Sequence, residues 1–163
     1  RSFKWRTTPS SATCSRSYPL YFVGQDSSVM ARQIKQKIQT IPQVVLTGTV
    51  NRTQIDEILN KADVLVCPSR QDPMPTVAAE AMMNSVPCLI SDAAGTAAYL
   101  TDGENGMFFK SEDIDELSQK LEMCIRQPGR LGEMGMKARK VYENRFSMEV
   151  FETAVLRIVK DLL

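Results

Sequence analysis

One stretch, residues 64–91, constrains the fold of this chain more than any other. It opens with the apolar run Val64–Cys67, continues through a polar loop with prolines at 68, 73 and 75, and then has good helix formers over 76–84. A second apolar run begins at Cys88. This order predicts a βαβ unit. Its loop then lies at the carboxyl end of a buried strand, where ligands bind in open α/β sheets.

The same alternation recurs along the chain. Apolar runs at 18–23, 44–47 and 107–109 predict further strands. Helical spacing predicts helices over about 28–40, 53–62, 113–126, 131–144 and 148–163, with Thr53 as the cap of the second. Near-continuous apolar strands are typical of a parallel sheet covered on both faces. We therefore predict an α/β, Rossmann-like three-layer domain with a parallel sheet of five or six strands.

The first 17 residues differ from the rest, because they are basic and rich in Ser and Thr. We interpret residues 1–17 as a linker or a truncated first strand, and residues 18–163 as the domain. If a first strand is built from residues 2–7, the strand order should be 3-2-1-4-5-6. Without that strand it should be 2-1-3-4-5.

Composition excludes several classes of function. A net charge of +1 gives no electrostatic case for binding nucleic acid or an anionic membrane. The apolar runs are far shorter than the roughly 20 residues of a membrane span, so we expect no transmembrane segment. Four cysteines without a CxxC pair indicate a reducing, cytoplasmic setting. Because the chain has no histidine, a His-based triad and a zinc site are disfavoured.

Two carboxylates, Asp72 and Glu80, are the first candidates for a site. Asp72 is in the loop, and Glu80 lies about one turn into the following helix, between the small residues Ala79 and Ala81. Ionised carboxylate oxygens only accept hydrogen bonds, so such a pair suits the hydroxyls of a sugar or a ribose. The alternative is a solvated loop aspartate and a surface glutamate.

The start of the helix at Thr76 is the second candidate, because free backbone N–H groups and the helix dipole favour an anion there. Pro75 fits the first helical position, and Thr76 as a simple cap is the alternative. Two glycine loops, 48–50 and 94–96, are either ligand loops or structural turns. The sequence has no GxGxxG and no P-loop, which disfavours a dinucleotide oxidoreductase and an NTPase.

The central stretch, ADVLVCPSRQDPMPTVAAEAMMNSVPCLISDAAG, and the later TDGENGMFF resemble the C-terminal domain of GT-B glycosyltransferases, in the large family 4 (glycosyl transferases group 1). The family pattern is an apolar strand, Pro-Ser, an acidic residue, seven residues and then Glu-Ala-Met. The resemblance implies one half of a GT-B architecture. It also implies a domain that binds a nucleotide-sugar donor for retaining transfer without a metal or another cofactor.

The resemblance also implies roles for particular residues. Glu80 takes the place of the glutamate that binds the donor ribose hydroxyls. Asp72 stands where another glutamate contacts the transferred sugar, and it is one methylene shorter. The segment Met74, Pro75, Thr76 and Val77 is expected to lie along the diphosphate and to contact it through its backbone N–H groups, of which Pro75 has none. The loop Gly48, Thr49 and Val50 is expected near the base. Ser69 and Arg70, which open the central loop, are the remaining expected contacts of the nucleotide sugar.

Parts of the family pattern are missing. The Gly-Arg and Lys-Gly that clamp the diphosphate have no clear match in residues 1–17, and the acceptor-binding N-terminal domain is absent from the chain. We therefore expect a donor-binding half that transfers a hexose to a glycan or lipid-linked acceptor only with its N-terminal domain, in the cytoplasm or at the membrane periphery. The alternatives are a non-catalytic nucleotide-sugar-binding or scaffolding domain, and a nucleotide-sugar epimerase, which the absence of histidine disfavours.

Overall fold

The computed structural model describes residues 2–5, 19–24, 27–38 and 41–162. In chain order the elements are β1 (Ser2–Trp5), β2 (Leu20–Val23), α1 (Val29–Ile38), β3 (Val44–Gly48), α2 (Arg52–Leu59), β4 (Val64–Cys67), α3 (Thr76–Met83), β5 (Cys88–Ser91), a 3₁₀ helix (Gly95–Tyr99), β6 (Met107–Phe109), α4 (Ile114–Arg126), α5 (Pro128–Arg145) and α6 (Met148–Leu162). From β2 to α4 strands and helices alternate, as the sequence predicts. None of the helices in these ranges is long and apolar enough to cross a membrane.

The strands form one six-stranded sheet with the order β3-β2-β1-β4-β5-β6. This is the order that we expected if residues near the start of the chain supply a first strand. The assignment of 1–17 as a whole stays a prediction, because most of that range lies outside the described residues.

Five strands, β2 to β6, run in the same direction, which agrees with the expectation of about five or six parallel strands, and β1 runs opposite to them. Strands β2 and β3 pair in parallel, as do β4 with β5 and β5 with β6. Strand β1 is antiparallel to both of its neighbours, β2 and β4. A parallel neighbour requires a crossover, usually a helix, whereas an antiparallel one does not. The sequence over 6–19 has no helical pattern of apolar residues, which is consistent with the antiparallel arrangement.

Helices cover both faces of the sheet, and β4 shows how the core is divided. Successive side chains of a strand point to opposite faces. Leu65 and Cys67 accordingly pack in one apolar cluster, with side chains of α3 and α5. Val64 and Val66 pack in the other, with side chains of β6, α4 and the start of α5. Every residue of β4 and β5 is buried, so these two strands form the rigid base of the loops that follow them.

The carboxyl ends of β3, β4 and β5 lie at the same edge of the sheet. Strands β4 and β5 are parallel. Because β1 is antiparallel to both β2 and β4, those two strands run in the same direction, and β3 runs with β2. The loops that follow β3, β4 and β5 therefore open on one side, and they contain all the site residues predicted from the sequence that precede α3.

Candidate functional site

Glu80 is the predicted site residue with the best-defined partner. It is the fifth residue of α3, and its side chain is 21% exposed. Its Oε1 accepts a hydrogen bond from Nη1 of Arg52 at 2.6 Å. Arg52 is the first residue of α2, directly after the β3 loop, so this ion pair joins the loops that follow β3 and β4. Across the intervening strands β2 and β1, β3 and β4 are separated by about 14 Å.

Asp72 organises the loop between β4 and α3. Its Oδ1 accepts a hydrogen bond from the backbone N–H of Met74 at 3.1 Å, which is the Asx turn that aspartate favours. Its backbone carbonyl accepts another from the N–H of Gly95 at 2.9 Å. Asp72 also forms an isolated parallel bridge with Ala94. Asp72 thus fixes its own loop and joins it to the loop after β5.

The amino end of α3 lies directly after this loop. Thr76 is its first residue, and Pro75 is the N-cap, with φ −64° and ψ 107°. Pro75 therefore precedes the helix by one residue instead of occupying its first position, since its ψ is extended. A proline side chain accepts no hydrogen bond, so it does not cap the first-turn N–H groups. Thr76 is exposed and Val77 is half-buried, which leaves this end of α3 open to an anion.

The loop after β3 begins at Gly48, whose φ of +67° is in the left-handed region that favours glycine. Thr49 is exposed and Val50 is half-buried. Asn51, and not Thr53, caps α2: its side chain accepts from the N–H of Gln54 and the side chain of Gln54 accepts from its N–H. This capping box satisfies the end of α2 internally.

Arg70 and Ser69, which were expected to contact the nucleotide sugar, have other partners in the structure. The guanidinium of Arg70 is 2.7 Å from Oε1 of Glu112, in an exposed ion pair on the side of α4. The hydroxyl of Ser69 is 3.5 Å from Sγ of Cys67, at the end of β4. The structure brings Asp72, Met74 and the Gly95 loop together, and it brings Glu80 to Arg52. It does not bring Arg70 or Ser69 to either group.

Arg52 contacts a candidate site residue, and the sequence did not predict that contact. A lone arginine at a helix start carries little signal, and its i+4 neighbour Asp56 predicts only an ordinary helical ion pair, which is present at 3.4 Å. Its contact with Glu80 spans 28 residues of sequence and depends on the fold. Over residues 2–5, 19–24, 27–38 and 41–162, no group of three or more His, Cys, Asp or Glu side chains is placed to hold a metal ion.

Solved structures of glycosyltransferases share this fold. HepE of Anabaena, solved with UDP and glucose, superposes with a TM-score of 0.76 at 18% identity, over 86% of this chain and 40% of that one. The C-terminal domain of a glycosyl transferase group 1 family protein from Francisella tularensis superposes with a TM-score of 0.67 at 18% identity, over 73% of this chain and 63% of that one. At these identities the likeness shows the fold alone, which is one half of the GT-B architecture.

Sequence comparisons identify glycosyltransferases as well. D-inositol 3-phosphate glycosyltransferase of Gordonia bronchialis is 28% identical over 103 residues, which are 63% of this chain and 22% of that protein. This chain thus spans less than a quarter of the length of that relative. The family model of glycosyl transferases group 1 matches residues 14–141, which include all the elements of the site. The chain belongs to the glycosyl transferases group 1 family.

Proposed function

We propose that this chain is the nucleotide-sugar donor domain, and the C-terminal half, of a retaining family 4 glycosyltransferase. The observation that carries the proposal is the position of Glu80, in the first turns of a helix whose uncapped end follows the carboxyl end of β4. One oxygen of its carboxylate is held by Arg52. The other oxygen is free to accept hydrogen bonds from the two ribose hydroxyls. An ionised carboxylate only accepts hydrogen bonds, and the hydroxyls supply the donors.

The diphosphate of the donor lies, in this proposal, against the backbone N–H groups of Thr76 and Val77, because the N–H of Met74 already donates to Oδ1 of Asp72. When the glycosidic bond breaks, the leaving nucleoside diphosphate gains negative charge. N–H dipoles that are already aimed at the phosphate stabilise that charge without reorganisation, and the dipole of α3 adds to their effect. This arrangement assists departure of the leaving group without a metal ion. The free Oδ2 of Asp72 then faces hydroxyls of the transferred hexose.

Transfer itself requires an N-terminal domain that binds the glycan or lipid-linked acceptor. Helix α6 supports this part of the proposal, since it presents large apolar side chains to solvent. Phe151 is 63% exposed, Ile158 is 59% exposed and Leu162 is 81% exposed. Such a stripe on one helix is typical of a surface that another domain covers. The expected acceptor site, and with it the activity, lies in the full-length protein.

Calorimetry of the 163-residue chain with UDP, GDP and ADP tests the donor site. UDP is the first nucleotide to test, because HepE was solved with it. We expect one nucleotide to bind with a dissociation constant below about 1 mM. Replacing Glu80 with Ala should weaken it about 10- to 100-fold, the usual effect of losing hydrogen bonds to a charged group. Glu133→Ala, an exposed glutamate of α5, should leave the affinity unchanged.

Two results would count against the donor site. If none of the three nucleotides binds below millimolar concentration, the domain has no donor site. If one binds and Glu80→Ala binds it equally well, the assignment of Glu80 is wrong.

A non-catalytic nucleotide-sugar-binding or scaffolding domain is the second candidate. It is favoured by Asp72, whose carboxylate is shorter than the glutamate of the family pattern and has one oxygen engaged with Met74. Full-length protein that binds a donor but neither transfers its sugar nor hydrolyses it would support this candidate. Activity that is lost in a full-length Asp72→Asn variant, with the donor still bound, would exclude it.

A further inference from the structure

The contacts of Arg52 show more than a surface ion pair. Its guanidinium lies between two carboxylates: Nη1 contacts Oε1 of Glu80 at 2.6 Å, and Nε contacts Oδ2 of Asp56 at 3.4 Å. The backbone of Arg52 is fixed as well, because it directly follows the capping box of Asn51 and Gln54. Both ends of this long side chain are therefore restrained, although the side chain is 58% exposed.

The side chain of Glu80, in contrast, is mostly shielded from solvent. Its side chain is 21% exposed, and its neighbour Ala81 is fully buried. Its backbone carbonyl accepts a hydrogen bond from the side chain of Asn84 at 2.9 Å. A glutamate side chain has several rotamers. Within the part of the chain that the structure describes, one charged side chain contacts this carboxylate. The partner that fixes its direction is Arg52.

We propose that Arg52 is a positioning residue, which holds the carboxylate of Glu80 in the orientation that accepts the ribose hydroxyls and so makes the site select ribonucleotides. The proposal rests on the proposed function, since it needs Glu80 to contact the ribose. Arg52 engages Oε1 and leaves Oε2 for the ligand. Asp56, one turn further along α2, contacts the other side of the guanidinium.

Arg52 acts through Glu80 in this proposal, so its effect should appear only with a ligand that has ribose hydroxyls. The experiment compares UDP with 2′,3′-dideoxy-UDP, which has the same base and diphosphate but neither hydroxyl. Binding of both nucleotides is measured by calorimetry for the wild-type chain and for Arg52→Met, Arg52→Lys and Glu80→Gln. Arg126→Met is the control, because Arg126 also forms an exposed i,i+4 ion pair, with Glu122 in α4.

For Arg52→Met we expect UDP to bind about tenfold more weakly, the effect of losing one ordered hydrogen bond to a charged group. The affinity for 2′,3′-dideoxy-UDP should change less than about twofold. Arg52→Lys should recover part of the loss, because lysine keeps the charge without the fork of the guanidinium. In the Glu80→Gln background, Arg52→Met should have little further effect, since the two residues act as one unit.

Equal weakening of both nucleotides by Arg52→Met would overturn the proposal, because the role of Arg52 would then be structural or directed at the phosphates. Tighter binding of UDP to Arg52→Met would overturn it too, since Arg52 would then compete with the ribose for Glu80. A wild-type chain that binds UDP but does not distinguish it from the dideoxy form would refute the ribose contact of Glu80, and the proposal with it. A chain that binds no nucleotide contradicts the proposed function itself.

Discussion

Gly95 is the residue at which the loops after β4 and β5 come closest. Its N–H donates to the carbonyl of Asp72, and a Cβ on Gly95 would overlap the carbonyl oxygen of Pro73. The atom in the way belongs to the backbone and not to a flexible side chain, so the overlap can only be relieved if one of the two loops moves. Glycine is required here for close approach of two backbones.

The variant Gly95→Ala should therefore affect both stability and the site. We expect a loss of about 2 kcal/mol in the free energy of unfolding by urea, typical of overpacking. UDP should bind about tenfold more weakly, because the Asp72 loop is displaced from the amino end of α3. Gly129→Ala is the control, since a Cβ there meets nothing within 4 Å. Wild-type stability and affinity in Gly95→Ala would show that the two loops are not tightly joined.

The sequence indicated candidate residues whose type carries chemistry, and it missed a contact that depends on the fold. Asp72 and Glu80 stood out because a carboxylate in the loop and one between small residues can both face a ligand at the end of a strand. Arg52 looks like any other charged residue at the start of a helix, and only the crossing of two loops gives it a partner at Glu80. Asn51 was missed as a cap because Thr53 is also a common capping residue by type, although asparagine ranks above threonine.

At the level of elements, the close packing of α5 against α3 depends on the turn that ends α3. Helix α3 ends in a Schellman motif, in which the N–H of Val86 donates to the carbonyl of Ala81 and that of Ser85 to Met82. Ser85 has φ 56°, in the left-handed region. Gly135 of α5 packs directly against its carbonyl, where a Cβ would overlap the oxygen.

Two glycines of α5 should therefore respond in opposite ways to the same substitution. Gly135→Ala should lower the free energy of unfolding by about 2 kcal/mol, because the helix must move away from Ser85. Gly132→Ala, one turn earlier, should raise it by about 0.5 to 1 kcal/mol, since the site is exposed and alanine favours a helix. Urea unfolding of both variants measures the difference. Equal effects of the two would contradict the close packing of α5 against α3.

The directions of strands were harder to predict than their positions. The apolar runs of β4 and β5 predicted their bounds and burial, because near-continuous apolar runs fit a strand covered on both faces. The antiparallel direction of β1 has no signature in four residues. It depends on how the chain connects β1 to β2, and the sequence over 6–19 has no periodic pattern that specifies the connection.

At the level of the whole molecule, two thiols report on the integrity of the core. Burial raises the pKa of the Cys124 thiol from 9.0 to about 11, and it raises the pKa of the Cys88 thiol far above 9.0. Both groups keep their protons in the folded chain at a pH where the unfolded chain loses them. The unfolded state then binds fewer protons, so stability falls as the pH rises.

For Cys124 the pH window extends from 9 to 11. Below pH 9 both states are protonated and its contribution is constant. Between pH 9 and 11 the free energy of unfolding should fall, by at most about 1.4 kcal/mol per pH unit for this thiol. Urea unfolding of the wild-type chain and of Cys124→Ala over this range measures the effect. The variant should be less stable at pH 8 but lose less stability above pH 9, and identical slopes would contradict burial of the thiol.

We propose that a nucleotide binds at the carboxyl edge of the sheet, between the β3 loop and the amino end of α3. Amide chemical shifts of the ¹⁵N-labelled chain, recorded during titration with UDP, locate the binding site. The largest changes should occur at Gly48, Met74, Thr76 and Val77. Changes concentrated at the opposite edge, in the 103–106 turn before β6, or no changes at high UDP concentration, would show that the nucleotide does not bind there.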